Sequence, residues 1–178
     1  MKAAYYEETG LAEHVLVVGD LPDPQPASDE VRVRLEWSGV NPSDVKARSG
    51  ARGPVMPFPQ VIPHSDGMGV IDAVGAEVDP ARIGQRVWVW NAGWGRPNGT
   101  AAGLVALPQH QAVVLPDNVP GEVGACLGIP ALTAAHSVLT DGGVAGQSVL
   151  VAGGAGAVGH YAVQFARLLG ARHVITTV

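Results

Sequence analysis

GGAGAVG, Gly153 to Gly159, is the stretch on which the reading of this chain turns. A short apolar segment, Val149-Leu150-Val151-Ala152, precedes it, and HYAVQFARLLG, with helical periodicity, follows. Strand, glycine turn and helix in that order lift a glycine motif above an ordinary tight turn. Gly153, Gly156 and Gly159 are spaced by three. Glycines so placed let the chain turn sharply and let backbone N–H groups approach a pyrophosphate at a helix N-terminus. The expected cofactor loop is therefore Gly153, Ala155, Gly156, Ala157, Val158 and Gly159.

Downstream, a helix is expected from Gly156 to Leu169. Val158, Ala162, Phe165 and Leu169 fall on the face that should pack on the sheet, with His160, Gln164 and Arg167 opposite. A strand from His173 to Val178 would follow. One β-α-β unit cannot cover both faces of a parallel sheet. The residue that reads the ribose 2′ position stands about 20 residues past the glycines, at or just beyond Val178. The expectation is that the natural protein is longer and that this chain is a truncated part of it, inactive on its own.

Upstream, the first hundred or so residues read as short strands broken by turns. Lys2 to Tyr6 and His14 to Val18 suggest a hairpin. Leu21 to Glu30 is proline-rich and cannot be a central strand. Val31 to Trp37 alternates with period two, the mark of a half-buried strand. A second proline-rich loop is expected from Gly53 to Pro63, then strands at Gly69–Val74, Arg86–Trp90, Thr100–Leu107 and Ala112–Leu115. Many short strands with Gly/Pro turns point to a barrel or sandwich. The character changes near Pro116. Val119 to Leu139 should form two short helices broken around Ile129-Pro130, and Asp141-Gly142-Gly143 a turn. The expected domains are residues 1–116 and 117–178.

Composition narrows the function class. Of the 178 residues, 47% are hydrophobic and only 15% charged, which argues against disorder. The net charge is −5 without a basic cluster, so a nucleic-acid surface is not expected. No apolar run reaches the length of a membrane span, and the N-terminus lacks the apolar core of a signal peptide. The one cysteine, Cys126, excludes an internal disulfide or a multi-cysteine metal site; it reads as a small buried apolar residue. A cytoplasmic enzyme fits these properties.

GVNPSDVKARSG (Gly39 to Gly50), IPHSDGMGVIDAVGAEV (Ile62 to Val78), IGQRVWVW (Ile83 to Trp90), GIPALTAAHSVL (Gly128 to Leu139) and VLVAGGAGAVG occur here in one order. Together they resemble the medium-chain dehydrogenase/reductase superfamily, in its zinc-free quinone oxidoreductase branch that includes zeta-crystallin. The resemblance runs through nearly the whole chain. It implies an α/β protein with a β domain: a GroES-like β-barrel, then a truncated Rossmann doubly wound domain, with the active site in the cleft between. It implies NADPH (or NADH) as cofactor, a small quinone or α,β-unsaturated carbonyl as substrate, no nucleic-acid or membrane partner, and a homodimer when full length.

Zinc relatives hold a catalytic zinc with cysteine, histidine and cysteine; the matching positions here are Asn41, Ser65 and Ile129. Asparagine and serine are poor zinc ligands and isoleucine is none, so metal-independent chemistry is expected. A different cation site built from His64, Asp66 and Asp44 is the alternative. The cofactor would supply hydride, and the protein orientation and electrostatics. By family match, Asn41 is a hydrogen-bond donor near nicotinamide ribose or substrate; the plain alternative is a turn-forming asparagine before Pro42. Lys46 either places a cation beside the developing oxyanion or pairs with Asp44. Thr133 matches a threonine that contacts nicotinamide and is equally an ordinary helix residue. Trp37, Trp88 and Trp90 are expected in the core, and Trp94, in a loop, nearest a ligand. The competing functions are a non-catalytic nucleotide-binding relative and an NADH-dependent alkenal reductase.

Overall fold

The computed structural model describes residues 1–51, 53 and 55–178. It divides into two compact units, residues 1–128 and 129–178.

The first unit is built on a five-stranded antiparallel sheet. Its strands are β3 (Glu30–Gly39), β4 (Asp66–Val74), β5 (Arg86–Val89), β6 (Leu104–Pro108) and β7 (Ala112–Val114), in the order β6-β3-β4-β5-β7. The alternation read in the sequence appears as packing. Val31 and Val33 are fully buried and join Ile71, Val87, Val89, Val105 and Leu107 in one core. Arg32 and Arg34 turn to the other face, where Arg32 Nε meets Asp72 Oδ1 at 2.8 Å across to β4. Two strands, β1 (Lys2–Tyr5) and β2 (Val17–Asp20), pair antiparallel beside this sheet, and single bridges tie them in at Ala3–Ala102 and Tyr6–Val61. The expected hairpin is thus present, with a one-turn helix, α1 (Ala12–Val15), taking residues expected to open its second strand. Within the expected proline-rich loop from Gly53 to Pro63, Pro54 lies outside the described residues.

A short helix, α2 (Pro42–Arg48), follows β3 directly. Proline at its first position suits a helix start, because the missing N–H would have no helical partner there. Another, α3 (Gly121–Gly124), lies against β4. Met68, Leu115 and Ala125 form a second small core beneath it. Residues 117–128 pack with this unit, where Gly121 and Gly124 let α3 settle onto Trp37, Met68 and Leu115. Trp37, expected in the core, is instead half exposed (50%) and lies over Gly121. Cys126, expected to be buried, is exposed, because the turn after α3 directs Gly124 and Ala125 inward.

The second unit opens in a π-helical turn through Pro130 and continues as α4 (Leu132–Leu139). β8 (Ser148–Val151), α5 (Ala157–Leu168) and β9 (His173–Thr176) follow, with β8 and β9 paired parallel. The β-α-β unit is present as expected, and of the predicted face of α5 Ala162 is buried and Phe165 packs against the core. Gly159, Ala162 and Ala166 form its buried stripe, whereas Val158 and Leu169 are 39% and 38% exposed. Small residues bring α5 close to β8 and to Ala134 and Val138 of α4, and Tyr161, Val163 and Phe165 pack around that stripe.

Met68 is fully buried in the first unit's small core under α3. Met68→Ala is expected to destabilise that unit by about 2–5 kcal/mol, read from urea unfolding followed by tryptophan fluorescence.

Candidate functional site

α2 starts from Asn41. The Asn41 N–H donates to Asp44 Oδ2 at 2.7 Å, and the Asp44 N–H donates back to the Asn41 carbonyl at 3.0 Å. This reciprocal link satisfies groups that the first turn leaves without helical partners. The Asn41 side chain points inward, where its Nδ2 donates to Asp66 Oδ2 at 2.8 Å. Asn41 is 7% and Asp66 1% exposed. A buried carboxylate demands such a donor. It also demands room: a Cβ on Gly128 would collide with the Asp66 carboxylate, and one on Gly39 would press on Asp66 Cβ and the Ala125 carbonyl. So Asn41 first serves Asp66 and the helix start. Lys46 is exposed on α2, and among the described residues it makes no ion pair with Asp44.

Beside α2 lies a cavity of about 380 Å³, walled by Met56, Pro57, Phe58 and Val61, with Tyr6, Thr9 and Arg96 among its polar members. Its size is that of a small-molecule pocket. Burial, with Asp44 adding and Arg48 opposing, raises the Tyr6 phenol above its usual range, so it stays a hydrogen-bond donor. Tyr6, Ala47, Val61 and Gly93 also border a polar niche of about 70 Å³ that contains Asp44, His64 and Ser65. Burial lowers the His64 imidazole, partly opposed by the Asp44 carboxylate. Arg96 is held by Gln111 Oε1 and the Asn91 carbonyl. Trp94 is 73% exposed and does not line the cavity. Among the described residues, no group of three His, Cys, Asp or Glu is placed to hold a metal ion. The alternative set His64, Asp66 and Asp44 is not assembled as one, since Asp66 turns to Asn41 and His64 to Ser38.

In the second unit each glycine of the motif has a separate task. Gly153 takes φ +71°, open to glycine at no steric cost. Gly156 is the extended N-cap of α5, which carries no side-chain cap and no acidic residue in its first turn. Gly159 packs on the Gly153 carbonyl, where any Cβ would collide. Ala155, Ala157 and Val158 are exposed around this turn. The threonines after the motif were not singled out in the sequence. The Gly153 N–H donates to Thr177 Oγ1 at 3.0 Å, the Gly154 N–H to the Thr177 carbonyl at 2.8 Å, and Thr176 Oγ1 to the Val151 carbonyl at 3.0 Å. An uncapped helix N-terminus behind a pinned glycine turn fits a dinucleotide pyrophosphate. Thr133 is exposed on α4, where its carbonyl accepts from Ser137.

The profile of the alcohol dehydrogenase GroES-like domain matches residues 27–117. The chain belongs to the medium-chain dehydrogenase/reductase superfamily, in its quinone oxidoreductase-like branch. Human quinone oxidoreductase is 34% identical over 173 residues, 96% of this chain and 50% of that protein. Among solved structures, a mycobacterial protein complexed with NADPH has TM-score 0.84 and 35% identity, covering 100% of this chain and 53% of that one. An NAD-dependent alcohol dehydrogenase has TM-score 0.89 and 34% identity, over 100% and 58%. The fold is therefore a GroES-like domain followed by Rossmann-type structure. The chain spans about half the length of the curated relatives it matches. No helix among the described residues is long and apolar enough to cross a membrane.

Removing the Asn41 amide takes a donor from a buried carboxylate. Asn41→Ala is expected to cost about 2–3 kcal/mol of stability in the first unit, and Asn41→Asp more, through like charge. Chemical unfolding of the variants checks this; an unchanged midpoint for Asn41→Ala would show that the Asp66 bond contributes nothing.

Proposed function

We propose that this chain carries the substrate and cofactor residues of an NADPH-dependent, zinc-independent reductase of quinones or α,β-unsaturated carbonyls. The observation that carries this reading is the uncapped N-terminus of α5 behind the glycine turn, with no carboxylate in its first turn to repel an anion. Gly153, Gly156 and the flanking Ala155, Ala157 and Val158 would hold the pyrophosphate, Gly159 would keep the turn tight, and Thr133 would face the nicotinamide. When bound, the dihydronicotinamide supplies the hydride. Domains 1–128 and 129–178 would supply substrate pocket and dinucleotide loop respectively.

Quinones and enones suit the first unit's cavity, which is mainly apolar with few polar groups. They accept hydride readily, so a Lewis acid is less needed than for a simple ketone. What the protein must supply is stabilisation of negative charge on the substrate oxygen. The protonated Tyr6 and the exposed Lys46 ammonium are the donors for this; Asn41 contributes whatever its buried amide leaves free. The preference for NADPH follows the mycobacterial relative solved with it. The enzyme would act as a soluble cytoplasmic homodimer in its full length.

Three measurements test this reading. Gly156 has extended φ/ψ that valine tolerates, so Gly156→Val should keep the unit folded but block the pyrophosphate. Calorimetry should show NADPH affinity falling at least tenfold, about 1.4 kcal/mol, with wild-type affinity for NADPH above that for NADH. Equal affinity in variant and wild type would sink the assignment of the loop. Elemental analysis of protein purified without added metal should find no stoichiometric zinc, and chelators should leave quinone-dependent NADPH oxidation unchanged.

A further inference from the structure

His64 holds a backbone conformation that few residues other than glycine adopt. Its φ is +76°, in the left-handed region where histidine is uncommon. The surroundings enforce it: the Thr100 N–H donates to the His64 carbonyl at 3.0 Å, and Gly99 packs tightly against the carbonyls of Ile62, Pro63 and His64. Strain retained in this way is a signal of function rather than of packing.

The conformation aims the ring. His64 Nδ1 lies 2.8 Å from Ser38 Oγ, Ser38 Oγ lies 2.9 Å from Thr100 Oγ1, and the Thr100 hydroxyl reaches the Asp66 carbonyl oxygen. This chain has a direction. A carbonyl only accepts, so Thr100 spends its one proton on Asp66. Ser38 must then donate to Thr100, which leaves Ser38 Oγ to accept from His64 Nδ1–H. The neutral ring is assigned by this logic as the Nδ1–H tautomer, with its Nε2 lone pair uncommitted. The ring lines the polar niche with Tyr6, Asp44 and Ser65, and a neighbouring hollow with Asp44 and Arg48.

We propose that His64 is the acid–base residue of this niche, exchanging a proton at Nε2 with the substrate oxygen while Ser38 and Thr100 hold its Nδ1–H. This rests on the reductase reading. The reductant, a dihydronicotinamide, gives a hydride to the substrate carbon, and the carbonyl π pair moves to oxygen. The Nε2–H bond of the His64 imidazolium breaks as the new O–H bond forms. The products are oxidised nicotinamide, reduced substrate and the neutral Nδ1–H ring, which takes its next proton from solvent at Nε2.

Among the described residues, the charged and titratable groups around the ring are Asp44 and Arg48 from α2 and Tyr6 from the segment after β1. Burial outweighs the Asp44 carboxylate and favours the neutral ring. The acid form therefore grows in as pH falls, and kcat/KM should rise toward low pH with an inflection below the ordinary histidine value of about 6.5.

The test uses the full chain with His64→Asn and His64→Gly. Asparagine tolerates left-handed φ and can still donate to Ser38, whereas glycine removes the strain together with the ring. Both should keep wild-type NADPH affinity, and His64→Gly should melt at or above wild type. Both should lose the rising acid limb and fall on the order of a hundredfold in enone turnover near pH 6. Without cofactor, 15N NMR of the wild-type imidazole should show Nδ1 protonated in the neutral ring. An Nε2–H tautomer, or a His64→Asn pH profile equal to wild type, would overturn the role of His64. Wild type that binds NADPH yet reduces neither quinone nor enone would overturn the reductase reading instead.

Discussion

One buried carboxylate organises the first unit. Asp66 enters the interior at the head of β4 with 1% of its surface exposed, and a charge so placed must be met by donors and close packing. The Asn41 amide supplies a donor, and Asn41 is also where α2 begins. Gly39 and Gly128 supply the space, which is why the chain after α3 can pass against the carboxylate at all. The Asp66 backbone carbonyl anchors Thr100, and through Thr100 and Ser38 it orients His64. The helix start, the turn after α3 and the ring in the niche all meet at this one residue, through its carboxylate or its backbone carbonyl.

The second unit depends on a different constraint, the close approach of backbone to backbone. Gly159 sits on the Gly153 carbonyl, and Gly154 sits on Thr176. Neither contact leaves room for a side chain. Two threonines at the end of β9 hold the turn from behind, so that its exposed face is made of backbone and small side chains. A rigid turn ahead of a helix N-terminus presents fixed dipoles, which is the form of electrostatic preorganisation an anionic ligand can use.

These constraints reshape the roles expected of particular residues. Asn41 reads from its family match as a group facing the reactants, yet the fold uses its amide on Asp66. Lys46 is exposed and leaves Asp44 to the helix start. His64, weighed in the sequence as a member of a cation site, instead lines the niche beside the Tyr6 ring, with Ser38 at its Nδ1. Asn41, one of the three positions the resemblance matches to zinc ligands, is committed to Asp66 and to the start of α2.

Sequence alone determined the order of elements and the glycine turn, because both are local. Period-two alternation marks β3, glycine and proline mark the loops, and a strand, three spaced glycines and a helical stretch define the β-α-β unit. It also carried the family, through motifs in order. Only tertiary structure decided which face of α5 is buried, since the choice between Val158 and Gly159 depends on how closely β8 and α4 approach. Only tertiary structure packed residues 117–128 with the sheet and left Trp37 and Cys126 exposed, because α3 docks through Gly121 and Gly124 onto Trp37 and Met68, which lie far from it in sequence. The niche was least legible of all. Tyr6, Asp44 and His64 line it from separate segments, the Ser38 and Thr100 hydroxyls that hold the ring come from two more, and no local pattern records that the sheet's pairing and the Asp66 backbone carbonyl bring them together.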